Sequence, residues 1–293
     1  MAITLSTRTL SLRKTPKLSN DEFNQLTDFI YEKTGIAIPV RRKYLIENKL
    51  GKRLFELNIK TYSDYIKYLK FSPQKETEFK KLCELITINE TCFFRDLKQL
   101  TLFKNVILPE ILKKRQEQGV KSLNIWSAGC SSGEEPYTLG IIIHEVLKVS
   151  IISWNIKIYA NDLSPAMLFK ARKGIYNEYS LRTTPENIKK KYFTVTKEGY
   201  KIHPKVQKLV DFQLINLADS RDVKKIPKSD IIFCRNVIIY FDDAVKQKVL
   251  SHFYEKLKDD GYLFLGYSES IHRITKLFKP QIKPGGIVYQ KNL

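Results

Sequence analysis

The chain has no two cysteines at CxxC spacing and no two histidines at the spacing of metal ligands. Cys83, Cys92, Cys130 and Cys234 stand far apart, which argues against a zinc ribbon or a secreted disulfide framework and reads as reduced thiols in a cytosolic protein. Histidines occur only at 144, 203, 252 and 272, so no protein-bound metal is expected. No run approaches the roughly 18 apolar residues of a spanning helix, so membrane insertion is not expected. Internal repeats and long linkers are missing too. Acids are scarce: 31 Asp and Glu face 51 Lys and Arg, a formal charge of +20. That field attracts polyanions, but nucleic acid, an anionic membrane or an acidic protein face would each satisfy it. Lysine spread along the chain is equally a compositional habit.

What is present suffices for a packed protein. Over 293 residues, 43% hydrophobic content can bury a full core with room for two modest domains. Residues 1–17 are rich in Ser, Thr and Arg and contain no acid, a composition shared by transit peptides and disordered tails; without an apolar stretch the tail is the reading adopted.

From residue 18 to 95 the periodicity is helical. Phe23, Leu26, Phe29 and Ile30 follow Asn20, which can cap, and Gly35 closes that helix. Further helices are expected over 41–57, with Leu45, Leu50, Leu54 and Leu57 inward, and over 61–70 and 76–86. A connecting helix is expected over 96–118. From 119 to 293 short apolar strands alternate with amphipathic helices, the texture of a parallel α/β sheet. Strands are predicted at 123–127, 156–161, 210–214, 230–234, 262–266 and 286–290. A small antiparallel β insertion is expected at about 175–209, with a hairpin turning at Lys197, Glu198 and Gly199.

Residues 123–137 run from a strand through a small-residue loop into a helix, with Gly129 and Gly133 where a backbone must approach a ligand. Glu134 and Glu135 follow. Acids there oppose a pyrophosphate and suit a cation such as the methionine ammonium of S-adenosylmethionine; they also fit plain decoration of a helix N-terminus. Asp162 ends the second strand, either as acceptor of two ribose hydroxyls or as an N-cap. Asn216, at another strand end, can hydrogen-bond an adenine. Arg235, Asn236 and Tyr240 would wall the place of methyl transfer.

In this order of segments the chain resembles the CheR-type chemotaxis-receptor methyltransferases, over residues 18–291. The resemblance is carried by residues 88–95 (INETCFFR), 127–137, Asn161-Asp162, 234–241 and 266–270 (GYSES). It implies a Rossmann-like S-adenosylmethionine-dependent methyltransferase sheet behind an all-helical N-terminal domain. It also implies that Asn89, Thr91, Arg95, Glu134, Asp162, Asn216, Leu217, Arg235 and Asn236 contact the cofactor, with S-adenosylhomocysteine as product. Arg95 and Tyr240 would face the reacting carboxylate, a receptor glutamate that becomes a methyl ester in sensory adaptation. The implied partner is the helical cytoplasmic domain of chemotaxis receptors, and the enzyme is expected to be a cytoplasmic monomer that takes no nucleic acid. Arg42, Lys49 and Arg53, spaced by seven and four on one helix face, suit an acidic receptor helix, or are an ordinary solvated surface. In some relatives the β insertion captures a receptor C-terminal peptide by strand addition. The short turn here and the bulky Tyr200 and Lys201 point away from such a tether.

Two other readings compete. A nucleic-acid methyltransferase would suit the charge, but amino-group methylation normally shows Asp/Asn-Pro-Pro-aromatic where this chain has Arg235-Asn236-Val237, and cytosine chemistry needs Pro-Cys where Phe233 precedes Cys234. A non-catalytic adaptor that binds the cofactor is the other.

Overall fold

The computed structural model describes residues 16–87 and 89–293. The tail expected over 1–17 thus lies, except for its last two residues, outside the described residues. Two compact units emerge: the described residues up to Phe29 with Ile38–Ile86, and Ile30–Ala37 with the described part of Thr87–Leu293.

The first unit is helical, built from the helix Asn20–Thr34 up to Phe29 and from Lys43–Glu56, Tyr62–Phe71 and Lys75–Ile86. Ser19, rather than Asn20, caps the first helix. Glu22 N–H donates to Ser19 Oγ (3.1 Å) while Ser19 N–H donates to Glu22 Oε2 (3.0 Å), a reciprocal box that only a residue three before the glutamate can close. Ile46, Leu50 and Leu54 recur every four residues and are buried, so Ile46 takes the inward place expected of Leu45, which stands half exposed. At the centre lies buried Glu78, which accepts from Arg53 Nη2 (2.6 Å) and from the Tyr65 hydroxyl (2.8 Å).

The second unit holds ten strands: β1 (Ser122–Ala128), β2 (Asn155–Asp162), β3 (Ile175–Tyr176), β4 (Phe193–Thr196), β5 (Gly199–Ile202), β6 (Val210–Leu214), β7 (Ser229–Cys234), β8 (Leu257–Leu265), β9 (Phe278–Lys283) and β10 (Gly286–Lys291). Seven form a sheet in the order β6-β2-β1-β7-β8-β10-β9, parallel from β6 to β8 and antiparallel beyond. After β6 the chain returns to lay β7 beside β1, so the strand order reverses there. Such a switch point opens a crevice at the strands' carboxyl ends. Every residue of β7 is buried, as a parallel strand covered on both faces requires. β9 escaped the sequence reading because it is a polar edge strand carrying Pro280, and proline is tolerated where no neighbour needs its missing N–H.

The connecting helix is not uniform. Leu97–Leu102 and Leu108–Glu117 flank a π-helical turn, Phe103–Ile107, in which Leu108 N–H reaches back five residues to Phe103 O. Pro109 follows at once, and its missing N–H and bulky ring account for the widened turn. The stretch Glu134–Ser153 is long and apolar enough to cross a membrane by length and composition, a property hidden from a count of consecutive apolar residues by His144, Glu145 and Lys148 in its interior. Its Tyr137, Leu139, Ile141, Ile142 and Ile143 are buried in the core shared with Ile156 and Ile158 of β2.

β3, β5 and β4 make a separate antiparallel sheet. Thr196 pairs with Gly199, so the hairpin turn is only Lys197 and Glu198, one residue shorter than expected. Phe93 packs edge-on between Tyr176 (centroids 4.7 Å apart) and Phe193 (4.9 Å). Residues 89–95, read from the sequence as the end of the helical domain, therefore belong with the sheets.

Candidate active site

A cavity of about 240 Å3 opens at the carboxyl ends of β1, β2 and β7. Its floor is the loop leaving β1. Gly129 there has φ +76°, and a Cβ at this position would lie 2.4 Å from Val237 Cγ2, so only glycine fits. The N–H groups of Gly129 and Cys130 both donate to Asn161 O (2.9 and 2.8 Å), tying the loop to β2.

Asp162 lies at the end of β2. Its Oδ2 accepts from Ser131 N–H (2.8 Å) and its Oδ1 from Ser164 N–H (2.9 Å). Burial pushes its carboxyl upward and these backbone donors oppose the shift. The helix Pro165–Lys173 is capped by Ser164, whose Oγ accepts from Met167 N–H (3.3 Å), so Asp162 does not cap it. Each Asp162 oxygen keeps a lone pair, which suits a pair of vicinal hydroxyls.

The two glutamates part ways because neighbouring helical residues point about 100° apart. Glu134, the one assigned to the cofactor from the sequence, is not among the residues lining the cavity; it is buried against the hydroxyls of Ser132 (2.8 Å) and Ser180 (3.2 Å). Glu135 lines the cavity instead, accepting from Ser127 Oγ (2.8 Å) and Arg235 Nη1 (3.3 Å). Burial raises the carboxyl pKa of both.

Arg235 forms the far wall. Its Nη2 donates to Asp96 Oδ2 (2.7 Å) and Arg95 O (2.9 Å), yet its buried Nε has no partner among the described residues. Buried Asn236 Oδ1 is likewise orphaned. Left so, each such atom costs about 1–3 kcal/mol, and both lie on residues that line the cavity. Phe94 and Asp96 flank Arg95 with φ +54° and +62°, while Ser131 and Asn236 have φ +49° and +61°. Strained non-glycine backbone of this kind concentrates at functional sites.

Asn89, Thr91, Arg95, Asp162, Asn216, Leu217, Arg235, Asn236 and Tyr240 all line this one cavity. Asn216 does so with its amide already engaged: Oδ1 accepts from Ala218 N–H (3.0 Å) and Nδ2 donates to Lys33 O (3.0 Å). One N–H and one lone pair remain for an adenine. Arg95 Nη1 donates to Glu90 O (3.0 Å), and Arg95 makes no ion pair among the described residues. Arg42, Lys49 and Arg53 belong to the helical unit and do not line the cavity.

Glu135, paired with Glu134 in the sequence but not assigned to the cofactor, lines the wall, and among the other lining residues so do Thr34 and Ile36, which no sequence motif marked. The last two lie on a strap where Ile36 bridges Phe241, Ala37 N–H donates to Tyr240 O (2.9 Å) and the Tyr31 hydroxyl donates to Asp242 Oδ2 (2.7 Å). Only Gly35 marked this strap in the sequence, and it reads there as a helix stop.

Comparison with known proteins agrees with this geometry. Residues 21–87 match the CheR methyltransferase all-alpha domain, and residues 89–284 match the CheR methyltransferase SAM binding domain. The chain is 36% identical to a chemotaxis protein methyltransferase of Borreliella burgdorferi, covering 87% of this chain and 89% of that one. It is 34% identical to chemotaxis protein methyltransferase 2 of Vibrio cholerae (89% of each) and 31% identical to the Escherichia coli chemotaxis protein methyltransferase (89% and 88%).

Proposed function

Because the chain belongs to the CheR methyltransferase family, we propose that it methylates glutamate side chains on the helical cytoplasmic part of chemotaxis receptors. The cofactor is S-adenosylmethionine, which supplies a sulfonium methyl. The cavity's residues fit it. Asp162 would accept the ribose hydroxyls, Glu135 would face the methionine ammonium, and Arg235 Nε and Asn236 Oδ1 offer a donor and an acceptor that no described residue partners. Asn89, Thr91, Asn216 and Leu217 complete the cofactor's walls, and Glu134 supports the loop from behind.

Arg95 carries the assignment of a carboxylate substrate. Of the two arginines lining the cavity, Arg235 is neutralised by Asp96 and Glu135, whereas Arg95 makes no ion pair among the described residues. A glutamate carboxylate is ionised at neutral pH and needs no general base. What the site must provide is alignment and exclusion of water. Arg95 holds the carboxylate and Tyr240 aims one oxygen, which is how methyl transfer proceeds without a catalytic histidine or cysteine. Incubation with methyl-labelled cofactor and a receptor cytoplasmic fragment is expected to place label on the receptor in a form released as methanol by mild base. Base-stable label, label in nucleic acid, or none at all would defeat this reading.

Receptor docking is assigned to Arg42 and Lys49 of the helical unit. Lys49 is exposed, and its pKa is lowered by partial desolvation and by Arg42's charge. Arg53 is not a free docking charge, since it is the counter-ion of Glu78 and also pairs with Glu56 (2.7 Å). Reversing Lys49 and Arg42 is expected to slow receptor methylation and flatten its salt dependence without changing cofactor affinity. With only Lys197 and Glu198 in its turn, the β insertion is assigned no tether for a receptor's C-terminal peptide, and removal of a receptor's final residues is expected to cause no large loss of rate.

A further inference from the structure

The segment 266–270, part of the resemblance, has no role in the site so far described. Glu269 is the residue in it that is chemically unusual. It is 7% exposed and has no cationic partner among the described residues, yet its carboxylate accepts four backbone N–H groups. Oε2 takes those of Gly266 (2.6 Å) and Asn236 (2.8 Å); Oε1 takes those of Val237 (2.9 Å) and Ile239 (3.3 Å). Three of the four donors lie on the loop leaving β7, which carries the cavity residues Asn236, Val237, Ile239 and Tyr240. That loop turns sharply, with Asn236 at φ +61° before the short helical turn Ile238–Tyr240. Asparagine tolerates the left-handed conformation, and a charged acceptor that holds three amides of this loop fixes it there.

We propose that Glu269 is a positioning residue for the transfer site: it clips the ends of β7 and β8 together and presents Asn236 Oδ1 to the cofactor and Tyr240 to the reacting carboxylate. This deepens the methyltransferase reading and rests on it. Gly266 supports the assignment independently. A Cβ there would lie 2.6 Å from Glu269 Oε2 and 3.0 Å from Asn236 N, so no side chain fits between the clip and the loop it holds.

Two variants of the full-length protein test the clip from opposite sides. Glu269→Gln keeps the shape but turns an N–H2 toward two backbone donors, and Gly266→Ala displaces the carboxylate sterically. S-adenosylhomocysteine affinity is read by calorimetry, and single-turnover methyl transfer to a receptor fragment is read at saturating cofactor, below the melting temperature of each variant. Both variants are expected to bind product about tenfold more weakly and to transfer about 100-fold more slowly, the cost of a small misplacement at a reacting centre, with the receptor KM little changed. Wild-type-like affinity and rate in both, or losses no larger than the unfolded fraction, overturn the proposal. The affinity arm stands alone: should the wild type bind product yet methylate no receptor, the methyltransferase reading fails while the affinity difference still decides the role of Glu269.

Discussion

Arg115 and Arg235 are both buried and each is paired with two carboxylates, yet one is saturated and the other is not. Arg115 donates through Nε to Asp230 (2.6 Å), through Nη1 and Nη2 to both oxygens of Asp260 (2.9 and 2.7 Å) and through Nη1 to Gln118 (2.9 Å). No polar atom of it is orphaned. Arg235 meets Glu135 and Asp96 through its Nη atoms alone, leaving Nε buried without a partner among the described residues. The first cluster lies by the start of β7 and the second just past its end. A buried network satisfied by the protein locks the fold, whereas one left a donor short is shaped for a molecule that arrives later.

Exchanging the two arginines for alanine is the sharpest way to break that contrast. Arg115→Ala strands Asp230, which is fully buried and keeps Lys258 (2.9 Å) as its one remaining ion-pair partner among the described residues, so a stability loss of about 3 kcal/mol is expected by denaturant titration. Transfer per folded molecule should be unchanged. Arg235→Ala should do the reverse, lowering the single-turnover rate by about 10²- to 10³-fold, because its cost is read at the site. Its stability loss should be the smaller of the two, since Asp96 stays partly open to water and burial already pushes the Glu135 carboxyl upward. Equal destabilisation by both substitutions would erase the distinction.

A smaller difference is expected within the cavity itself. Arg95→Ala should slow transfer more than Tyr240→Phe, because a guanidinium fixes a carboxylate through charge-assisted bonds while a hydroxyl refines its angle. Single-turnover rates at saturating receptor would show the order. Near wild-type rates in both variants would leave the carboxylate without a holder and remove Arg95 from the mechanism.

These residues also show where the sequence could be read and where it could not. The strand-loop-helix at 123–137 and the acid at 162 were legible through the order in which they occur with 88–95, 234–241 and 266–270, since a small-residue loop or a strand-end acid alone also fits a plain turn or an N-cap. Glu134 and Glu135 could not be separated, since their difference is a rotation about the helix axis set by Ser132, Ser180 and Arg235 from elsewhere in the chain. Arg53 fitted a basic face by its spacing; only the fold places Glu78 and Tyr65 beside it. The strap at 30–37 was illegible for another reason. Its links run to Asn216, Tyr240, Phe241 and Asp242, some two hundred residues away, and no local pattern encodes them.

The mildest test concerns protons. Beside Arg115, the side-chain hydrogen bond and charge of that arginine hold Asp260 below its ordinary carboxylate value. Beside Arg235, burial outweighs the arginine and raises Glu135, and burial raises Asp162 as well. The signs then oppose. Asp260 contributes stability that is present above its unfolded value of 3.8 and is lost as pH falls through its lower folded value. Glu135 and Asp162 hold their protons longer when folded, so their contribution to the stability of the cofactor-free protein declines as pH rises from 4.5 and 3.8 through their raised values. Over that same window cofactor binding should strengthen, because an ionised Asp162 accepts both ribose hydroxyls more strongly and only an ionised Glu135 pairs with an ammonium, and protons should be released on binding. Calorimetry over a pH series that starts at those unfolded values and runs upward, in buffers of different ionisation enthalpy, should show affinity rising with proton release greatest at the acidic end. In Glu135→Gln the rise should shrink, whereas in Asp260→Asn it should be untouched; a profile that is flat in the wild type would mean that the acids at the end of β2 and at the start of the helix Glu134–Leu147 are already ionised before the cofactor arrives.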